Sequence, residues 1–495
     1  MTRPNNPADG EAQPRIVVIG GGPAGMAACN ALLQNDLPVT LIDESNGLGG
    51  QYYKRFTAAA DLSRGTEIDE LRESGAEQAG RLDDPRVTYL PNTLVWGIFP
   101  ERRLALYVDD RVELMQADAL LLAGGAVERI AAFPGWTLPG VMTAGGAQTL
   151  LAREGILVGK RFLLTGTGPL LLEIALEIAE AGGEIVAVVE GSSLSAPVRQ
   201  LRKFVTQTRR MRQAFDYHRE LRRRKIPLLS QHMIVAAHGD DHVSDAVVAR
   251  IDGDWQPISG SEQRFPVDTI CLHYGFAAST ELAHLAGATT AFDQRYGGWY
   301  VAHDDGMRTS ASDVYVAGQT SGIGGADLAE ATGRLAGLSI AHDLGQLPVD
   351  RYTGLAVDAR REIDRGRQFA EMLNTTYTAG PGVNEPVTSE TLICRCEEVR
   401  AAQVDAALAE GALDLNDVKR LTRCGMGFCQ GRICSQVLVP YIAQKSGRSP
   451  QEIGQFHPRP PIKPVPLGAL ATMPDPESVF GSPEPGAAEA AAGHH

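Results

Sequence analysis

Five cysteines near the C-terminus are the residues of this chain best suited to chemistry. They form a Cys394-x-Cys396 pair and, after a stretch of helical pattern, the run RCGMGFCQGRIC, which contains Cys424, Cys429 and Cys434. Thiolates are the usual ligands of iron–sulfur clusters, and four of them complete a two-iron or four-iron site. The glycines of the second run allow the tight turns that bring several sulfurs to one point. The pattern therefore predicts an iron–sulfur cluster and a protein that moves electrons.

Two other interpretations of these cysteines remain open from the sequence. Paired thiolates also form tetrahedral zinc sites, usually with a Cys-x2–4-Cys spacing that the Cys394-x-Cys396 pair does not match. A disulfide requires an oxidising compartment, and nothing in the sequence indicates one. A four-ligand site also leaves one of the five cysteines over, and the spacing alone does not say which.

The composition limits the class of protein. The 495 residues are enough for about two to four domains with apolar cores. The net charge of −14 argues against nucleic acid as a partner, because a phosphate backbone selects basic surfaces. The N-terminus lacks the apolar core of a signal peptide, and no uninterrupted apolar run reaches membrane-spanning length. We therefore expect a soluble, cytoplasmic protein, with any membrane association made through a complex.

Only two cysteines lie outside the C-terminal group. Cys29 and Cys271 stand in apolar segments and are predicted to be buried small hydrophobes. They do not form the closely spaced pair that a disulfide reductase holds beside its flavin, which sets that chemistry aside. His273 and Tyr274, on a predicted core strand, are interpreted as structural residues.

A glycine-rich turn lies between a short apolar strand and a helix near the N-terminus, in the sequence IVVIGGGPAG. In such a turn the first glycine permits the bend, the second lets backbone approach a pyrophosphate, and the third lets helix and strand pack closely. The free N–H groups of the helix N-terminus attract phosphate. The next strand, VTLID, ends in an acid of the kind that accepts hydrogen bonds from ribose hydroxyls. The residues predicted to bind the dinucleotide here are Gly20, Gly22, Pro23, Ala24, Gly25, Asp43 and Glu44.

Two further segments favour FAD at this first site. GLGGQYYKR follows the acid, and its Gly50 and Gln51 are expected near the pyrophosphate and the flavin. Later, VYVAGQ is typical of the strand that closes over a ribityl chain, with Gly318 and Gln319 at its end. An acid usually stands where Gln319 is, but an amide also hydrogen-bonds a hydroxyl. FAD is therefore predicted over a nicotinamide nucleotide.

A second unit, RFLLTGTGPLLLEIALEIAEAGGEIVAVVE, repeats the strand–glycine–helix–strand pattern. Gly166 and Gly168 are in place, but Leu171 replaces the third glycine, and Glu190 ends the next strand. A reductase of this architecture binds NAD(P)H at such a site. We favour a scaffold or a static nucleotide, because Leu171 disturbs the close packing of helix and strand, and no basic residue is placed to select a 2′-phosphate.

The predicted organisation has six parts. They are a flexible leader (1–14), an FAD-binding domain in two pieces (15–126 and 266–345), a second NAD(P)-like Rossmann domain (127–265), a linker or helical stretch (346–388), the cysteine domain (389–457) and a Pro/Ala-rich tail without a packed core (458–495). A basic run, 199–225, is interpreted as a solvated helical face or as a docking surface for an acidic partner or an anionic cofactor group.

Taken together, these motifs resemble the α (FAD/iron–sulfur) subunit of heteromeric opine oxidases, a group that includes hydrogen cyanide synthase and bacterial hydroxyproline dehydrogenase. The resemblance covers residues 15–465 and rests on GGGPAG, GGQYYKR, ADALLLAGGAVER, FPGWTLPGVMTAGGAQ, TGTGPLLL, GQTSGIGGADLAEATGRLAG, ICRCEEV and GMGFCQGRIC. It implies an α/β flavoprotein with two dinucleotide-binding domains, like glutathione and thioredoxin reductases, and a small helical domain at the C-terminus.

The cysteine segment resembles the [2Fe-2S] domain of bacterioferritin-associated ferredoxin. That likeness implies Cys394, Cys396, Cys429 and Cys434 as ligands and leaves Cys424 as the spare cysteine. The second pair is wider than in the ferredoxin, with four intervening residues instead of two, so Cys424 stays an alternative ligand.

The resemblance also implies how such a chain works. Amine oxidation takes place on a separate β subunit, which is a flavoprotein resembling D-amino-acid oxidase, and electrons then pass through flavin and cluster to a quinone or another carrier. An FMN at a subunit interface and a further small subunit are expected from some members of the group, and no catalytic residue is predicted in this chain. Two alternatives remain: an NAD(P)H-dependent reductase of the ferredoxin or nitrite-reductase type, and a non-enzymatic assembly module that uses its cluster to sense redox state or hold a partner.

Overall fold

The computed structural model describes residues 13–53, 66–193 and 208–480. Nearly all of the predicted leader, the end of the predicted tail and the first part of the basic run lie outside the described residues.

Twenty-two strands are present in the described part of the chain. Those of the first half are β1 Ile16–Ile19, β2 Val39–Ile42, β3 Val87–Leu90, β4 Leu94–Phe99, β5 Arg103–Val108, β6 Arg111–Gln116, β7 Ala119–Leu122, β8 Ala126–Glu128, β9 Val141–Thr143, β10 Arg161–Gly166 and β11 Glu184–Glu190. The others are β12 Leu228–Ser230, β13 His232–His238, β14 Asp245–Arg250, β15 Gln263–Pro266, β16 Thr269–His273, β17 Phe276–Ala278, β18 Thr290–Asp293, β19 Gly298–Val301, β20 Val314–Val316, β21 Leu392–Cys394 and β22 Val399–Arg400.

The helices connect these strands and fill the C-terminal third. They are α1 Pro23–Leu33, α2 Thr66–Gly80, α3 Ala144–Glu154, α4 Leu170–Glu180, α5 Thr208–Arg223, α6 Glu281–Leu285, α7 Ala326–Asp343, α8 Val349–Thr376, α9 Ala401–Ala409, α10 Leu415–Thr422, α11 Cys434–Ser446, α12 Pro450–Ile453, α13 Leu467–Leu470 and α14 Pro476–Phe480.

The first sheet is parallel, with the strand order β20-β7-β1-β2-β3. Ile16 in β1 lies opposite Val39 in β2 and Ala119 in β7. Strands β1 and β7 are apolar and fully buried, as expected for the centre of a parallel sheet with both faces covered. Because β20 comes from much later in the chain, this sheet is assembled from two separated segments.

The second sheet is also parallel, with the order β12-β11-β10-β16-β9. Strand β16 lies between β10 and β9, with Cys271 opposite Leu164 and Met142. The division expected at 265/266 assigned this strand to the first unit, and its backbone pairing shows that this was wrong. Five consecutive buried residues suit a central parallel strand of either sheet, so the apolar run alone did not identify the partner strands.

The chain crosses between the two sheets twice, and the crossing segments pair with each other. Strand β8 leaves the first sheet, β17 follows the second, and Glu128 lies opposite Phe276 in their antiparallel ladder. Three-stranded antiparallel sheets flank the two units, with the orders β4-β5-β6 and β13-β14-β15. The predicted α/β architecture with two dinucleotide-binding-type sheets is confirmed.

The C-terminal third packs on both units. The stretch expected to be linker or helix is helical as α8, which packs against α7. In the cysteine segment, the buried side chains of Ile393, Val404 and Val437 join the same apolar core as Phe133 and Leu163 of the second unit. The cysteine segment therefore shares a core with that unit.

The expectation that the tail lacks a packed core is wrong for residues 458–480. Ile462 is buried, and its backbone N–H donates to the carbonyl of Trp96 at 2.9 Å. Further along, Thr472 accepts a hydrogen bond from the backbone of Val112 at 3.1 Å. A Pro-rich segment that forms little core of its own docks here on the β4-β5-β6 sheet through a few side chains, and most of its other residues stay exposed. No helix in the described residues combines the length and apolarity needed to cross a membrane.

The packing of α1 against α7 gives a stability test. A Cβ on Gly333 of α7 would overlap the carbonyl oxygen of Ala24, so the two helices approach closely only with glycine there. We expect Gly333→Ala to lower the free energy of unfolding by about 1–3 kcal/mol, the usual cost of overpacking. Urea denaturation measures the change. The matched control is Gly354→Ala in α8, where no atom lies within 4 Å of the new methyl group. That control should be neutral or stabilising by up to about 1 kcal/mol, and equal destabilisation by both would contradict the packing argument.

Candidate functional site

The first glycine loop is held in shape by close backbone contacts. Gly20 has φ +108°, and a Cβ there would overlap the carbonyl of Ala123. A Cβ on Gly25 would overlap the carbonyl of Gly20, so helix α1 and strand β1 depend on the third glycine for their approach. Helix α1 begins at Pro23 after Gly22, and no side chain caps its N-terminus. The loop therefore presents helix N–H groups for an anion.

The acids after β2 make contacts within the protein. Asp43 accepts hydrogen bonds from the backbone N–H of Gly21 at 2.5 Å and of Ser45 at 2.6 Å. Glu44 forms an ion pair with Lys463 of the C-terminal segment. Asp43 thus braces the glycine loop, and the tail reaches the position where the sequence predicted a ribose.

Gly50 and Gln51 lie directly beside the first loop. Gly50 has φ +59°, and a Cβ there would lie 2.8 Å from the Cα of Gly22. Helix α3 of the second unit docks on the same place: Arg153 donates to the carbonyl of Gly50 at 3.2 Å, and Thr149 donates to Gln51 Oε1 at 3.2 Å. The Gly50 segment is therefore held between the two units.

Gly318 and Gln319 close another side of the site. Gly318 has φ +68°, and its N–H donates to the hydroxyl of Thr332 at 2.9 Å. The side-chain amide of Gln319 accepts from the N–H of Gly324 at 2.8 Å and donates to its carbonyl at 3.3 Å. The amide that the sequence assigned to a ribityl hydroxyl closes its own turn in this structure.

One continuous cavity of about 1570 Å³ brings these segments together. Its wall includes Gly168 in the second loop, and Gly431 and Arg432 in the cysteine segment. Of the eleven residues predicted to bind nucleotide, Gly25 packs beneath the loop and the other ten line the cavity: Gly20, Gly22, Pro23, Ala24, Asp43, Glu44, Gly50, Gln51, Gly318 and Gln319. The cavity therefore joins the first glycine loop to the cysteine segment.

The second glycine loop repeats the bracing of the first. Glu190 accepts from the N–H of Gly168 at 2.9 Å and of Ser192 at 2.8 Å, as Asp43 does in the first unit. Burial raises the pKa of Glu190. Leu171, at the third glycine position, is fully buried in the core of this unit. The leucine is accommodated by packing, and helix α4 still follows the loop.

The region after Glu190 is covered by the chain itself. The indole ring of Trp255 lies so close to Gly191 that a Cβ there would overlap it. The same ring packs on Gly380, and Tyr377 comes to 3.9 Å from a Cβ built on Gly168. These contacts cover the part of the second fold where a dinucleotide's ribose would lie.

The five C-terminal cysteines form one group. Cys394 ends β21, Cys434 begins α11 and Cys424 lies just beyond α10; their sulfurs lie within 4.8 Å of one another and are buried. Cys429 interacts with Cys434 and with the exposed Cys396. The structure thus places Cys424, the spare cysteine by resemblance, beside two of the four predicted ligands.

The pKa values within this group are split. Hydrogen bonds from Cys424 and Cys434 lower the pKa of Cys394, and a hydrogen bond from Cys434 lowers the pKa of Cys429 to about 5. Burial raises the pKa of Cys396, and the hydrogen bond with Cys394 raises the pKa values of Cys424 and Cys434. Cys29 and Cys271 lie apart from the group, and burial raises both of their pKa values, that of Cys271 to about 12.

The cavity also contains a buried acid–base pair whose acid the sequence did not single out. His273 Nδ1 lies 2.8 Å from Glu128 Oε1, and the N–H of Gly145, in the first turn of α3, donates to the same carboxylate. Burial alone would raise the pKa of Glu128, but the His273 and Gly145 hydrogen bonds lower it below its usual value. Glu128 stands in the motif ADALLLAGGAVER, which gave no chemical signal by itself.

Two braced glycine loops on parallel sheets, facing one cavity, define a two-domain dinucleotide-binding protein. The chain belongs to the pyridine nucleotide-disulphide oxidoreductase family, flavin-dependent oxidoreductases whose model matches residues 14–342. The model of the sarcosine oxidase A3 domain matches residues 388–473, which include all five C-terminal cysteines.

Relatives of known name extend over nearly the whole chain. An opine oxidase subunit of Rhizobium meliloti (strain 1021) is 32% identical, covering 93% of this chain and 99% of that protein. Hydrogen cyanide synthase subunit HcnB of Pseudomonas protegens is 30% identical, covering 92% and 97%. The alpha subunit of sarcosine oxidase from R. meliloti is 25% identical over 92% of this chain but only 42% of its own length. The predicted resemblance to opine oxidase and hydrogen cyanide synthase subunits is confirmed.

Among solved structures, L-proline dehydrogenase from P. horikoshii has the same fold. It superimposes with a TM-score of 0.67 at 21% identity, covering 93% of this chain and 79% of that one.

Proposed function

We propose that this chain is the electron-transferring subunit of a heteromeric, FAD-dependent dehydrogenase of amines, opines or imino acids. The observation that carries the proposal is the continuous cavity from the first glycine loop to the cysteine segment. The relatives add support, because those from opine oxidase and hydrogen cyanide synthase are named as subunits of larger enzymes.

The first loop fits FAD. Gly22 and Gly50 approach so closely that no side chain can stand between them, which leaves backbone free to contact a pyrophosphate. Helix α1 adds its uncapped N-terminus. Bound there, FAD would supply exchange between two-electron and one-electron transfer. The chain's own contribution is to hold the dinucleotide, with Asp43 fixing the loop and the docking of α3 covering the Gly50 segment.

The cysteine group fits a [2Fe-2S] cluster. Four thiolates are required, and contacts link the four proposed ligands in the order Cys394, Cys434, Cys429 and Cys396. Cys424 lies beside Cys394 and Cys434, and we propose it as the cysteine that does not bind because the ferredoxin resemblance assigns the four ligand positions to the other cysteines.

The partners we propose are those that the resemblance implies. A flavoprotein β subunit resembling D-amino-acid oxidase would oxidise the substrate, a further small subunit would complete the complex, and FMN would lie at a subunit interface. Electrons would leave to a quinone or another carrier. The location we propose is the cytoplasm.

The alternative, a self-sufficient NAD(P)H-dependent reductase, has the second loop against it. Leu171 stands at the third glycine position, and the ring of Trp255 packs on Gly191, next to Glu190. We propose that the second unit is a scaffold or holds a static nucleotide.

The first test of FAD binding uses two glycines of one loop. Gly50→Ala places a methyl group 2.8 Å from the Cα of Gly22, at a positive φ that alanine disfavours. We expect its flavin affinity to fall about tenfold or more, equivalent to at least ~1.4 kcal/mol. The ratio of flavin absorbance to protein in purified samples measures it. Gly47→Ala is the matched control, because no atom lies within 4 Å of its new methyl group. Equal flavin content in both variants would contradict the proposed site.

The ligand set is tested by two serine substitutions. Cys429→Ser should abolish the visible absorption of the cluster and its iron content, because it removes one of four ligands. Cys424→Ser should retain both, since Cys424 is proposed as the spare. Iron analysis and circular dichroism of each variant separate cluster loss from misfolding. Loss of the cluster in both variants would show that the ligand set is misassigned.

The function itself is tested by an anaerobic visible spectrum of the purified chain before and after excess NADH. We expect a flavin spectrum with an iron–sulfur shoulder that NADH does not bleach, because Leu171 replaces the third glycine and Trp255 packs on Gly191 beside Glu190. Dithionite serves as the positive control for reduction. Rapid bleaching by NADH would favour the reductase, and a preparation with neither flavin nor iron would contradict the electron-transfer function.

A further inference from the structure

One guanidinium deep inside the protein faces the cavity without a carboxylate partner. Arg129, directly after β8, is only partly exposed and is one of the residues that line the cavity. Within the described residues its side chain makes a single hydrogen bond, from Nη2 to the carbonyl of Gly297. No ion pair with an acid is formed there either, and burial lowers its pKa to about 10.

Its neighbour in the chain makes the contrast clear. Glu128, one residue earlier, is satisfied by His273 and by the N–H of Gly145. Arg129 has only a neutral carbonyl, although a buried charge is normally paired because its desolvation is so unfavourable. Arg129 is a cation that lines a cavity and hydrogen-bonds only a neutral carbonyl. It is therefore placed to bind an anion that enters the cavity.

The wall around Arg129 is aromatic. A Cβ on Gly298 would lie 2.5 Å from Arg129 Nη2 and 3.6 Å from the ring of Phe292, which places that ring beside the guanidinium. Phe292 packs edge-to-face against Trp299, with ring centroids 5.5 Å apart, and both rings line the cavity. The cavity exceeds the roughly 300–1,000 Å³ typical of a single small-molecule site, so a second ligand has room.

We propose that Arg129 binds the oxyanion of a small-molecule ligand, a carboxylate or a phosphate ester, whose flat apolar part packs on Phe292 and Trp299. The guanidinium fork matches the planar oxygens of such a group. The proposed anion site depends only on the geometry of the cavity. It can therefore be correct or wrong independently of the proposed electron transfer.

Binding of three probes to the full-length chain with its retained flavin tests the site. Benzoate carries a carboxylate on a flat ring, phenyl phosphate carries a phosphate ester, and benzamide is the neutral counterpart of benzoate. We expect isothermal titration calorimetry to show at least one of the anions binding tenfold or more tightly than benzamide. The tighter of the two identifies the type of oxyanion. If neither anion binds more tightly than benzamide, or if neither binds at all, the proposal is overturned.

Two arginine variants locate the site. Arg129→Gln should remove anion binding, whereas Arg367→Gln should leave it unchanged. Arg367 is the matched control because it is also largely buried, donates to a backbone carbonyl (that of Ser321, at 2.7 Å), and stands outside the cavity against the ring of Tyr296. Unchanged anion binding in Arg129→Gln would overturn the proposal. So would a parallel loss of flavin from a folded Arg129→Gln protein, because the flavin would then be the partner of Arg129.

A tryptophan pair keeps the test valid if Arg129→Gln does not fold. Trp299→Ala removes an aromatic wall and should weaken anion binding about fivefold or more. Trp96→Ala, at a buried tryptophan outside the cavity, should leave the affinity of the folded protein unchanged. If the two variants bind the anion equally well, the site is not at Arg129.

Discussion

Phe456 packs on the loop that carries Cys424 and Cys429. This packing helps to set where the cysteine group lies relative to the first glycine loop. The ring of Phe456 lies 2.7 Å from a Cβ built on Gly425 and 2.5 Å from one built on Gly431, so a side chain at either glycine would displace it. A few residues later, Lys463 pairs with Glu44 beside the first glycine loop. One short segment therefore fixes the cysteines and the first loop on the same cavity.

The two glycine loops show which parts of a nucleotide fold the chain braces with its own groups. In each loop a carboxylate, Asp43 or Glu190, accepts from a loop N–H and from the residue two positions further on. These bonds hold the loop in place with the protein's own groups. The two loops differ at the third glycine position, where Leu171 packs into the core, and in the cover that Trp255 provides. The second unit can thus keep its shape as a scaffold, whatever it binds.

Local features of this structure could be predicted from the sequence, and distant contacts could not. The strand–glycine–helix order of both units follows from periodicity and glycine spacing, because those signals lie within a few residues of each other. The partners of β16 and the burial of Ile462 depend on segments far away in the chain, which an apolar run or a Pro-rich composition does not specify. Cys424 and Arg129 show that the same holds for the site. The spacing of residues in the sequence does not indicate which sulfurs lie together in the fold or which buried charge lacks an ion-pair partner.

The second loop bears on where electrons would enter. In a reductase that uses NAD(P)H, the second loop must be open so that the nicotinamide can reach the flavin. Here the ring of Trp255 packs on Gly191, just after Glu190, while Gly168 itself lines the cavity. Under the function we propose, the donor is a partner protein, and this chain needs only a site where electrons arrive and a group that passes them on. The cover that Trp255 forms over Gly191 then hinders a competing entry for reducing equivalents through the second unit.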